Sequence, residues 1–359
     1  MIPTPQRIRA NRRWSALLAF VIAGSVTGVG FSVAMGPIVS GAMLALGCAA
    51  GAALYRFGTR LMRRRKTIVR RGLADELADI LAARVPYYQR LDTETKDRFR
   101  LLAAVFLDET TITGVGCEID DTVRVLVAAS AMIPILGFPD WEYSTLREVL
   151  VQPGDFVART RESDEDVDPL LGMVDRRGGT FHGTLILSRE ELIRGFSKSN
   201  DKSNVGIHEF AHLVDEGDGG IDGIPAYLPR ELIRQWMDLV SRQLDLREQT
   251  RKTRQRDEHR RRYGHDGDDW DTGDDWDADD DQRSARRQEG EPAADQPSHP
   301  DQPREDWSDM PAYAFTNEQE FFAVATEYFF EAPRQLAARH PKLHEMLRQT
   351  FRQNPAGAE

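Results

Sequence analysis

Hydrophobic positions change rhythm several times along this chain. From Trp14 to Tyr55 they have no polar partner stripe, and the run carries no charged residue over about 42 positions. That is twice what one membrane crossing needs. Gly36-Pro37 interrupts it where a tight turn is easy. The pattern predicts two transmembrane helices, Trp14–Met35 and Pro37–Tyr55, folded as a hairpin. The spacings Gly24…Gly28 and Gly47…Gly51 would let the two approach closely, although glycine is common in such segments anyway.

A helical rhythm follows. Leu73, Leu77, Ile80, Leu81 and Val85 recur on one face until Pro86 breaks the pattern. A second helix is expected from an Asp92 or Thr93 cap through Phe99, Leu102 and Phe106. Thr110–Cys117 reads as a turn or short strand. Asp121–Leu136 is apolar enough for a core helix, with Asp120-Asp121 at its start and Pro134 near its end. Arg124 argues against a membrane span.

Period-two segments come next. Leu146–Val151 and Phe156–Ala158 predict strands around a Gln152-Pro153-Gly154 turn, and Thr180–Ser188 is the clearest strand in the chain. Between Val205 and Val214, apolar residues again fit a helix, capped by Ser203 or Asn204 and stopped by Gly217. Leu232–Leu246 is helical too. Asn317 can cap a further helix to about Glu331, ended by Pro333. These elements describe an α+β chain that is mostly helical.

Composition alters this picture in two places. Arg7, Arg9, Arg12 and Arg13 precede the apolar run, and Arg56, Arg60, Arg63, Arg64, Arg65 and Lys66 follow it. Positive flanks on both sides favour an even number of crossings with both ends in the cytoplasm. A cleaved signal peptide is the rival reading, but it leaves the second apolar segment unexplained. Residues 247–309 are Arg-, Gln-, Glu- and Asp-rich, with an acidic block from Asp266 to Asp281, and predict a disordered insert rather than a metal store. The net charge of −11 is thus unevenly spread. The two cysteines, Cys48 and Cys117, imply no disulfide framework. The expected layout is a basic cytoplasmic tail (1–13), a transmembrane hairpin (14–57), a catalytic domain (67–246 and 310–355) and a charged insert (247–309).

The candidate chemistry lies in His208-Glu209-Phe210-Ala211-His212. On a helix, His208 and His212 fall one turn apart on one face and can share a metal ion. Glu209 stands beside them, where a general base would sit. Glu320 and Glu327, seven residues apart, share a face of the later helix. Glu320 is either a third ligand or the closing member of a capping box with Asn317. His182 has no spacing that supports a ligand role.

Three stretches carry a resemblance: His208–Asp215; Asp218-Gly-Gly-Ile-Asp222-Gly-Ile-Pro225; and Glu320-Phe-Phe-Ala-Val-Ala-Thr-Glu-Tyr-Phe-Phe330. With Leu136–Trp141 and Leu146–Pro153, they resemble the Mlc titration factor A family of zinc metallopeptidases from about Val85 to Phe351, the insert excluded. Tyr313–Ala323 is also similar to a run in the catalytic domain of anthrax lethal factor. The resemblance implies a zincin-like, gluzincin-type domain with Zn2+ on His208, His212 and Glu320. It implies Glu209 as general base and Tyr313 as oxyanion donor. Asp215 or Glu327 would orient a ligand histidine, unless each serves a structural ion pair. A peptide or protein substrate, and possession of an inner-membrane anchor with the catalytic domain in the cytoplasm, complete the expectation. The hairpin and insert are departures from the family pattern. The alternative is a regulatory protein that holds a transcriptional regulator at the membrane, with peptidase activity secondary. No direct nucleic-acid partner is expected.

Overall fold

A computed structural model of the protein describes residues 5–32, 37–143, 145–154, 183–198, 202–218, 222–225, 227–263 and 307–357, with backbone alone at 5–9, 26–32, 37–41, 43–44, 218 and 260–263. The expected hairpin forms from α1 (Pro5–Ser32) and α2 (Pro37–Gly58), which pack against each other. Gly51 is the point of close approach, since a Cβ there would meet the Ala19 carbonyl oxygen at 2.9 Å; Gly24 faces open space. Among the described residues no helix is long and apolar enough to cross a membrane. The expected crossings are therefore not supported there. The side chains of residues 26–41, in the middle of the charge-free run, lie outside the description.

Next, α3 (Arg60–Arg71) ties the hairpin to the body. Its Arg65 is buried and donates to both carboxylate oxygens of Glu109 at 2.6 Å and to Glu142 at 2.5 Å. Three carboxylate contacts offset the cost of burying a guanidinium.

The body starts with α4 (Asp75–Arg84), α5 (Pro86–Gln89) and α6 (Thr93–Glu109). Pro86 breaks the helix where expected, and Asp92 caps α6 by accepting from the Thr95 N–H at 2.9 Å. After β1 (Thr111–Gly114), Asp120 caps α7 (Asp121–Ile135) in the same way through Val123. Almost all of α7 beyond its first turn is buried, so it is the core helix its composition predicts.

Strands β2 (Glu148–Gln152) and β3 (Thr184–Ser188) join β1 in a three-stranded parallel sheet of order β1-β2-β3. Val149 faces Leu185 and Val151 faces Leu187 across the ladder, and all four are buried. Parallel pairing requires crossovers, which α7 supplies between β1 and β2. The expected strand at Phe156–Ala158 and the first three residues of the expected strand Thr180–Ser188, His182 among them, lie outside the described residues.

From the sheet the chain enters α8 (Arg189–Ser197) and then α9 (Val205–Asp215). Every residue of α9 is buried, because it packs against α7, α8, β3 and α11 (Glu318–Glu331). Gly206 allows this: a Cβ there would come 2.0 Å from the Ser130 hydroxyl of α7. Gly217 differs from its expected role. It is not in the left-handed region, and a short 3-10 turn, Glu216–Asp218, ends the helix. A side chain at 217 would instead strike the Trp141 ring at 2.0 Å.

One sequence expectation changes outright. Helix α10 spans Arg230–Tyr263, so residues 247–263 are helical rather than disordered. Arg, Glu, Gln and Lys are good helix formers without burial. Glu248 pairs with Arg251 at 2.9 Å and Lys252 at 3.4 Å along the exposed face. At the other end of that stretch Trp307 and Asp309 belong to the packed body; Arg247 donates to the Trp307 carbonyl at 3.0 Å. The acidic block at 266–281 lies outside the described residues. Helices α12 (Pro333–Arg339) and α13 (Pro341–Phe351) close the body, with Phe351 stacked against Phe138 and Phe322.

Candidate metal centre

Two helices bring the site together, and both start with an asparagine cap. Asn204 Oδ1 accepts from the Ile207 N–H at 3.2 Å to open α9, and Asn317 Oδ1 accepts from the Glu320 N–H at 2.8 Å to open α11. The first fixes the phase of His208 and His212, the second that of Glu320 and Glu327. With its own backbone N–H on Asn317, Glu320 has its carboxylate turned to the histidines instead of closing a capping box.

The three candidate ligands converge. His208 Nε2 lies 3.3 Å from His212 Nε2 and 3.2 Å from Glu320 Oε2, and His212 Nε2 lies 3.6 Å from Glu320 Oε1. A tetrahedral ion about 2.0–2.1 Å from each donor holds neighbouring donors about 3.3 Å apart. Donor type and spacing both fit a metal ion, and among the described residues these three form the one group of His, Cys, Asp or Glu placed to hold one. Both imidazoles are buried and Glu320 is half-buried, which leaves the site approachable from the Glu320 side.

Glu327 completes the arrangement behind His208. Its Oε1 lies 2.7 Å from His208 Nδ1, and its Oε2 accepts the Asn204 backbone N–H at 2.6 Å. The side chain is fully buried. Two carboxylates on one face of α11 therefore bracket a single imidazole, Glu320 at Nε2 and Glu327 at Nδ1. Burial pulls the His208 pKa down, but Glu327 and Glu320 outweigh it and push it up to about 10. The pocket is built for positive charge at that place, from a proton or from a metal ion. With Nδ1–H donated to Glu327, the Nε2 lone pair is left for a metal.

The other expected residues lie close by. Glu209 is buried on α9, one residue after His208. Tyr313 sits in the 3-10 turn Ala312–Phe315, its ring 6.2 Å from the His208 ring and its hydroxyl 3.5 Å from Glu327 Oε1. Asp215 is fully buried and accepts the Gly223 N–H at 2.9 Å. That bond ties the end of α9 to Gly223, which takes a left-handed φ of 74° with its Cα against the Glu318 backbone.

Sequence reasoning missed the support from Asn204, whose backbone holds Glu327 and whose Nδ2 donates to Glu331 at 2.9 Å. Its capping role was legible; its second role depends on a helix more than a hundred residues away.

Comparison with known proteins places the chain in a family. The family described as glucose-regulated metallo-peptidase M90 matches residues 59–268 and 284–352. An uncharacterized Synechocystis protein is 25% identical over 293 residues, 80% of this chain and 87% of its own length. Mlc titration factor A of Escherichia fergusonii is 26% identical over 282 residues, covering 76% of this chain and 85% of that protein. The Serratia proteamaculans protein of the same name is 23% identical over 277 residues, covering 76% and 86%. The matched residues include α9 and α11, the two helices that carry the converging histidines and glutamate, and the chain belongs to the M90 metallopeptidase family.

Proposed function

We propose that this protein is a zinc-dependent peptidase of the gluzincin type, with His208, His212 and Glu320 as ligands. The observation that carries the reading is the triangle of two Nε2 atoms and one carboxylate, 3.2–3.6 Å on its edges, next to Glu209. A bound zinc supplies Lewis acidity and brings the pKa of a coordinated water towards about 7.

The chain's own groups then have separable tasks. Glu209 takes a proton from the attacking water and passes it to the departing amine, as a general base and then acid. Tyr313 donates a hydrogen bond to the substrate oxygen as it gains negative charge. Glu327 fixes the His208 tautomer. Among the described residues β3 is an edge strand and packs against α9, so its outer edge would offer backbone groups to an extended peptide.

The test is metal analysis together with peptide cleavage. The purified protein should carry about one zinc, and Glu320→Ala should lose both zinc and activity while staying folded. Full zinc retention in Glu320→Ala would remove it from the ligand set.

Membrane anchoring belongs to the same proposal. Its support is the charge-free run, its arginine flanks, and the exposed Trp14, Leu17, Leu18, Phe20, Val21 and Leu46. The hairpin would cross the inner membrane twice and leave the peptidase in the cytoplasm. A reporter fused after Glu359 should be active in the cytoplasm; external activity would reverse the topology. The name Mlc titration factor A among the relatives favours one second reading, that binding a transcriptional regulator is the main task. Under that reading Glu209→Gln leaves the cellular phenotype intact.

A further inference from the structure

Asp309 lies outside the metal centre, with Lys202, Tyr328 and His340 around its carboxylate. It sits at the end of the 3-10 turn Trp307–Asp309, the first described element after residue 263. Its side chain is 5% exposed. Oδ2 accepts from the Tyr328 hydroxyl at 2.5 Å and from Lys202 Nζ at 3.2 Å, and Oδ1 lies 2.9 Å from His340 Nε2. Lys202 also donates to the Asp309 carbonyl at 3.2 Å and lies over the Tyr328 ring, 4.5 Å from its centroid.

These contacts meet where the two halves of the metal centre join. Lys202 is two residues before Asn204, the residue that caps α9 and donates its N–H to Glu327. Tyr328 is next to Glu327 on α11. Lys202 has a φ of +67°, a left-handed conformation that a lysine adopts only when its surroundings impose it. Asp309 is thus bonded to Lys202, two residues before Asn204, and to Tyr328, the neighbour of Glu327 on α11. Burial raises its pKa, but bonds from Tyr328, His340 and Lys202 outweigh this and hold it down to about 2, so it stays ionised.

We propose that Asp309 and Lys202 are positioning residues for the metal centre: their clasp sets α9 against α11, and with it the distance from the two imidazoles to Glu320. The clasp touches no candidate ligand. It acts through the loop that presents the Asn204 N–H to Glu327, and through Glu327 on the His208 ring. The inference rests on the zinc reading given above.

The test uses the full chain, with zinc titrated against a chromogenic chelator and cobalt(II) as a spectroscopic substitute. Asp309→Asn removes the charge. Lys202→Gly removes the ammonium while keeping a backbone free to hold φ +67°. Each is expected to weaken zinc binding by up to about 10-fold, the low end of the range for partners that touch a ligand directly, because the clasp acts through Glu327. Each should also shift the visible cobalt bands, and Lys202→Arg should restore most of the affinity. Wild-type affinity and wild-type bands in both variants would overturn the proposal, even if they melt at a lower temperature, because the clasp would then be structural only. Should Asp309→Asn fail to fold, by circular dichroism, Lys202→Gly decides alone. A wild-type protein that binds no zinc would instead defeat the underlying metal reading.

Discussion

Along α1, Trp14 and Phe20 are 71% and 77% exposed, whereas in the body Asp215, Glu327 and His340 are fully buried. The hairpin leaves apolar groups outside and the body takes charged ones inside. Each arrangement is costly in water by itself. The body offsets the cost with specific partners: His208 and Asn204 for Glu327, Gly223 for Asp215, Asp309 for His340. The described part of the hairpin has no such internal remedy for its apolar surface, and a nonpolar surrounding would provide one. Departures from simple burial thus mark the two regions for which an outside partner is proposed, a metal ion in the body and a membrane at the hairpin.

That contrast can be broken from either side. The largest effect is expected at Glu327. Glu327→Ala strands the His208 Nδ1–H and the Asn204 N–H in a buried place, and should cost about 3–5 kcal/mol of stability, read by denaturant unfolding. A loss below about 1 kcal/mol would mean that water replaces the carboxylate and the pocket is less closed than its burial indicates.

A smaller effect should follow pH through Asp309. Its carboxylate is held from 3.8 down to about 2 in the folded chain. The folded form binds fewer protons there than the unfolded one, so stability is fully present above about pH 4 and falls as pH drops towards 2. Asp309→Asn should flatten that part of a thermal-melting profile. An unchanged slope would assign the acid sensitivity to other carboxylates.

The smallest effect on folding is expected at the hairpin. Serine at Leu17, Leu18 and Phe20 should change body stability by only about 0.5 kcal/mol each, as exposed substitutions do. The same variant should move from the membrane fraction to the soluble fraction and keep its peptidase activity. If it unfolds instead, those side chains pack against the protein.

The parts that were legible in the sequence are those set by local chemistry. Asp92, Asp120, Asn204 and Asn317 cap helices because a short side-chain oxygen reaches an N–H three residues on. Pro86 divides two helices, and the i, i+4 histidines fall on one face. Glu320 needed the resemblance, since spacing alone equally allowed a capping box. The length of α10 was missed because low hydrophobicity over 247–263 was read as disorder, although the same residues favour an exposed helix. Parallel pairing of the strands has no local sign. The Lys202–Asp309 clasp joins residues 107 positions apart, and no periodicity in the chain announces it.

The central claim is that Glu209 performs proton transfer beside a zinc held by His208, His212 and Glu320. Glu209→Gln tests it most directly, with zinc content and peptide hydrolysis measured on the same purified sample. The account predicts about one zinc per chain, as in the unmodified protein, and hydrolysis reduced about 10²- to 10⁴-fold. Full hydrolysis by the zinc-loaded Glu209→Gln protein would contradict it.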